Sequence, residues 1–147
     1  MTPLDRTLLL QKISRLETYY NHVFEYCHIS RDNYLKDWKV QRAIERSLQI
    51  MIKICSDISI HLLLTREIRP SASDNELFKE LHKNSLISRD MVDIMEHLVK
   101  FSTYFTYSFE EVNHDIIMTI LNDHLKILYF SEIILSMSLR WKINRLR

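Results

Sequence analysis

The sequence predicts an all-α fold, an up-and-down helical bundle of four long helices plus one short helix, in a single domain covering residues 1–147. Three observations carry this expectation. Apolar residues recur at spacings of three and four along four long stretches, which is the period of one helix face. The chain has no glycine and only two prolines, whereas tight hairpins and β-bulges favour glycine. The segments between the periodic stretches are short, which sets consecutive helices side by side.

The first helix starts at Thr2, a capping residue, with Pro3 in the first helical position and Asp5 in the positive first turn. Leu9, Ile13, Leu16, Tyr20, Val23 and Cys27 form its apolar stripe. The stretch from His28 to Asp37 is polar and reads as a turn. A second long helix runs from about Trp38 to Arg66, with the stripe Ile44, Leu48, Met51, Cys55, Ile58 and Leu62. Ile50, Ile52, Ile54 and Ile60 lie off that stripe, so this helix is apolar over much of its circumference. Such a helix is central or sits at an oligomer interface. Pro70 and the run Ser71-Ala72-Ser73-Asp74 end it. A short helix covers Asn75 to Lys83. Ser88 caps the fourth, which opens with Arg89 and Asp90 and carries Met91, Met95, Leu98, Phe101 and Phe105 on one face. The pattern falters between Thr106 and Val112. Asn113 caps the last helix, with Asp115 in its first turn and Ile117, Leu121, His124, Leu128 and Leu135 on its buried face.

Composition bounds the function. At 147 residues the chain fits one domain, large enough to bury roughly 70% of the surface its unfolded form exposes. With 46% apolar and 27% charged residues it is a folding sequence, not a disordered one. The lack of glycine excludes a phosphate-binding P-loop and a dinucleotide-binding fingerprint. The net charge of +1 gives no general attraction for nucleic acid. Arg140, Lys142, Arg145 and Arg147 crowd the end of the chain; helix-end electrostatics and solubility account for them better than an RNA contact does. Cys27 and Cys55 lack metal spacing and fall on apolar stripes, so they read as reduced core residues. No basic-then-apolar leader opens the chain, and Ile127–Leu139 contains Glu132 and is too short for a membrane span. The expected location is cytoplasmic, with no membrane partner.

The polar constellations are weak. Seven histidines invite a search for metal ligands. Glu111 and His114 form one Glu-x-x-His, but di-iron bundles need two copies and two further glutamates, so no metal and no cofactor is expected. Asp57 with His61, and Asp93 with His97, are four apart on helices; without a nucleophile beside them they read as surface pairs. The aromatic group Phe101, Tyr104, Phe105, Tyr107 and Phe109 has Lys100 as its sole local cation, opposed by Glu110 and Glu111, and suits packing or an interface better than base stacking.

The order of these elements resembles the HepT-like branch of the HEPN superfamily. The similarity rests on Asp37 followed by Val40-Gln41-Arg42-Ala43-Ile44-Glu45-Arg46-Ser47-Leu48-Gln49, then Cys55-Ser56-Asp57-Ile58 with His61-Leu62. Phe78, the helix from Asp90 through Lys100-Phe101, and Glu111-Val112-Asn113-His114-Asp115-Ile116-Ile117 extend it over essentially the whole chain. The resemblance implies a HEPN-like bundle that forms a homodimer, a metal-independent ribonuclease toxin paired with an MNT-type nucleotidyltransferase antitoxin. It also implies a catalytic Arg-x4-His-x-Tyr, in which Arg and His cut RNA and the Tyr receives AMP. Aligning Phe101 and Glu111-Val112 with the family leaves Ser102 at the Arg position, Tyr107 at the His position and Phe109 at the Tyr position. No arginine lies between Arg89 and Arg140. Ser102 lacks the fixed cation, Tyr107 offers a phenol, a class of group that titrates near ~10 and shuttles protons poorly at neutrality, and Phe109 has no hydroxyl. Lys100 and Arg46 are the candidate binding residues. The expected function is thus a HepT-like subunit that dimerises and binds the nucleotidyltransferase with its nuclease centre degenerate. The alternatives are an active RNase, with Tyr104 or Tyr107 as the AMP acceptor, and an unrelated helical scaffold.

Overall fold

The computed structural model describes residues 3–71, 73–107 and 114–123, with side chains described except at 3–5, 74–75, 101–107 and 123. Six helices follow in order: α1 Pro3–Phe24, α2 Arg31–Lys36, α3 Trp38–Thr65, α4 Asp74–Lys83, α5 Arg89–Tyr107 and α6 His114–Asp123. Pro3 opens α1, where its missing N–H costs nothing. All six residues of the α1 stripe are buried, as are all six of the α3 stripe.

The largest helix pairing joins α1 to α3. They run antiparallel: Lys12 of α1 pairs with Asp57 late in α3 at 3.6 Å. His22 and Val23, at the other end of α1, instead face Ala43, Ile44 and Ser47 early in α3. α3 also touches α2, α4 and α5, which is why Ile52 and Ile54, off its main stripe, are buried too. Its 28 residues and mean hydropathy of 1.4 over the most apolar 18-residue window are long and apolar enough to cross a membrane, but 56% of that window is buried inside the domain. More than half of that apolar stretch goes into the core, as the all-round pattern implies. α4 packs against α5, and Ile117, Ile120 and Leu121 bring α6 into the same cluster.

The segment expected to be a plain turn holds α2. Ser30 caps it, its hydroxyl accepting from the Asn33 backbone N–H at 3.1 Å. Asp37 ends α2 and starts α3, accepting from the N–H groups of Lys39 and Val40 at 3.1 and 3.2 Å. Ser73 caps α4, and Ser88 caps α5 as its position predicts. Where glycine would normally close a helix, Glu67 and Ser85 take left-handed backbone, φ 61° and 59°. At α3, Ile68 N–H reaches Leu63 C=O and Glu67 N–H reaches Leu64 C=O. At α4, Leu86 N–H reaches Leu81 C=O and Ser85 N–H reaches His82 C=O. Both are Schellman closures with an apolar residue at each flank. Asn113 as a cap, and His124, Leu128 and Leu135 as buried positions, lie outside the described residues, as does the basic end of the chain.

Candidate functional site

The sequence places its candidate chemistry at the end of α5 and the start of α6. Ser102, Tyr104 and Tyr107 sit on the last turns of α5; Phe109 lies outside the described residues. Lys100 is exposed on α5 and Arg46 is exposed on α3.

What fastens the start of α6 is α2. Tyr34, fully buried, is 3.2 Å through its hydroxyl from Nδ1 of His114, the first residue of α6. The two rings meet edge-on at 5.3 Å between centroids. One turn back on α2, Arg31 pairs with Asp115. Two adjacent residues of α6 are therefore held by one short helix, which sets where α6 begins. Glu45 of α3 lies near enough to act on Tyr34. Its Oε2 accepts from Arg42 at 2.8 Å, while Oε1 is buried without a hydrogen-bond partner. Burial, and after it the Glu45 carboxylate, hold the Tyr34 phenol well above its ordinary range, with Arg42 offsetting a part. Tyr34 is thus a neutral hydrogen-bonding group, not a proton shuttle.

The other constellations resolve into ordinary pairs. Asp57 is engaged by Lys12 and Asp93 by Arg89, four residues before it on α5, at 3.8 Å. His114 spends Nδ1 on Tyr34, and no cluster of three metal-ligating side chains occurs among the described residues. Cys55 is fully buried, and burial pushes its thiol far up, so it stays protonated and unreactive. Between the end of α1 and the start of α3 lies a cavity of about 250 Å³ whose polar lining is His22, Glu25, Tyr26 and Ser47. It falls below the ~300–1,000 Å³ usual for small-molecule sites.

Sequence reasoning missed the Tyr34–His114 and Arg31–Asp115 contacts. The available signal was Ser30 followed by Arg31-Asp32, a cap and an acidic first turn, but a helix of six residues shows no periodicity.

Comparison with known proteins agrees along most of the chain. The Ribonuclease HepT-like family matches residues 16–132. A tRNA nuclease HepT from Aphanizomenon flos-aquae (strain 2012/KM1/D3) is 26% identical over 91 residues, 62% of this chain, and the match spans only 62% of that relative's length. The tri-AMPylated HEPN toxin of Shewanella oneidensis, solved in complex with MNT antitoxin, superposes with a TM-score of 0.80 at 20% identity, over 92% of this chain and 99% of that one. A toxin–antitoxin crystal structure with AMP-PNP gives a TM-score of 0.80 at 20% identity, over 88% and 98% of the two chains. At such identities these two show a shared fold, the HEPN bundle expected from the element order. A family match of this extent sets aside the unrelated scaffold: the chain belongs to the Ribonuclease HepT-like family.

Proposed function

We propose that this chain is the HepT-like subunit of a toxin–antitoxin-type pair, acting in the cytoplasm by dimerising and by binding an MNT-type nucleotidyltransferase, with its own nuclease centre degenerate. The observation that carries the partner is the likeness over 92% of the chain to a HEPN toxin solved with MNT antitoxin. What supports the degenerate centre is the sequence at the motif positions: Ser102 for the cation, Tyr107 for the base and Phe109 for the modified hydroxyl. RNA cleavage of this type needs a fixed positive charge on the phosphate and a group that titrates near neutrality.

The dimer contact belongs to the apolar later half of α3, where Ile60 is half-buried and Leu64 is 58% exposed, together with α5. Residues 38–53 of α3 carry Lys39, Arg46 and Lys53 on their exposed side, and a two-fold axis there would set like charges against each other.

The test is co-expression with an MNT-type nucleotidyltransferase. Co-purification of the two chains, with no AMP added to this chain when ATP is supplied, is the expected result. Transfer of AMP to Tyr104 or Tyr107, located by mass spectrometry, would instead favour the active-toxin reading, in which one of these hydroxyls replaces the one Phe109 lacks. Light scattering at micromolar concentration checks the dimer; a monomer would count against it.

A further inference from the structure

We infer that the exposed face of residues 38–53 of α3, with the end of α2, is a binding surface for the phosphate backbone and bases of single-stranded RNA. Lys36, Lys39, Arg46 and Lys53 are all exposed. None has a carboxylate within ion-pairing distance among the described residues, whereas Lys12, Arg31, Arg42, Lys79 and Arg89 are all paired. At 100° per residue, Lys39, Arg42, Arg46 and Lys53 fall within an arc of about 60°, over ~21 Å of helix. They form one basic stripe on a chain whose net charge is only +1.

The nearby carboxylates offset it only in part. Asp37 is committed to capping α3. Glu45 is buried beneath Arg42, whose own side chain is 69% exposed. Asp57 is paired with Lys12. Asp32 lies four residues before Lys36 on the same face of α2 and offsets that lysine in part, so the stripe rests on the cations of α3.

Trp38 turns a basic stripe into a nucleic-acid surface. It opens α3 at 66% exposure, with Lys39 Nζ 5.9 Å from its ring centroid. A large apolar ring left in water beside unpaired cations matches the stacking-plus-phosphate chemistry of single-strand binding. A polyanion without rings would use the cations alone, whereas an unstacked base uses the indole as well. A duplex would offer phosphates but no unstacked base. The surface uses neither the motif positions on α5 nor the nucleotidyltransferase, so it stands or falls apart from the proposed function.

Fluorescence anisotropy of a labelled oligouridylate of about 12 nucleotides, titrated with the full chain, tests it. Four phosphate contacts predict a slope of about −3 in log affinity against log salt. Arg46→Glu with Lys53→Glu should weaken binding at least about tenfold and flatten that slope by more than about 1. Arg69→Glu with Lys83→Glu, the same charge change on exposed cations elsewhere, should stay within about twofold of wild type. Trp38→Ala should weaken binding with the slope kept, and Trp38→Phe should retain it. All these side chains are exposed, and thermal melts check that each variant is folded. Equal losses in the two double variants would reduce the effect to net charge and overturn the surface. So would undetectable RNA binding at low salt. Poly-L-glutamate binding the wild type as tightly as the oligouridylate would also overturn it, by making the stripe a site for acidic protein.

Discussion

At the scale of single residues, burial decides the response to change. Ile58 is fully buried late in α3, so Ile58→Asp places an unpaired charge among apolar side chains and should cost several kcal/mol. Lys53, five residues earlier and exposed, should tolerate alanine within about 0.5 kcal/mol. Melts showing the two variants equally stable would refute this account of α3. Cys55 offers a second, pH-dependent check. Its thiol is held far above its ordinary range by burial, while the unfolded chain ionises it near ~8.5. The folded state therefore keeps its proton longer than the unfolded one. Its contribution to stability is complete below pH ~8.5 and declines as pH rises beyond that. Urea denaturation across pH 7–10 should show this decline in wild type and less of it in Cys55→Ala, measured against each protein's own neutral value.

At the scale of elements, the helix ends carry the information. Glu67 and Ser85 hold left-handed backbone without being glycine, a conformation that costs a side-chain-bearing residue about 1–2 kcal/mol. Ser85→Gly keeps the closure of α4 and removes that strain, so it should raise stability by about 0.5–1 kcal/mol after the greater freedom of the unfolded chain is counted. A loss of stability in chemical denaturation would mean that the Ser85 side chain makes contacts that outweigh the strain. These ends also show what could be read beforehand. The stripes of α1 and α3 were legible because long amphipathic helices repeat their pattern over many turns, and Ser88 was legible because a cap acts on its own neighbours. α2 was not, since its only buried residue is Tyr34. Nor was its contact with His114, which joins residues far apart in sequence and leaves no local mark. The positions of the candidate site were reached through family resemblance alone, because Ser102, Tyr107 and Phe109 are ordinary residues whose meaning lies in what they replace.

At the scale of the whole molecule, the proposed degenerate centre separates fold from chemistry: a bundle can keep the family's architecture while its motif positions hold other side chains. The expected outcome is that the purified chain shows no metal-independent cleavage of RNA above background. General acid–base assistance typically contributes about 10²–10⁴-fold, and electrostatic stabilisation of the transition state more. Ser102 and Tyr107 supply neither at neutral pH. If α3 holds RNA, binding and cutting should separate, with the wild type retaining oligouridylate and leaving it intact. Ser102→Arg with Tyr107→His rebuilds the cation and the titratable group on the same turns of α5, and cleavage gained by this pair, absent from either single change, would show that the architecture is still competent. The decisive comparison sets wild type beside Tyr107→Phe on the same RNA. Cutting by the wild type that disappears in Tyr107→Phe would make Tyr107 catalytic and overturn the degenerate centre, whereas intact RNA with both is what Ser102 and Tyr107 predict.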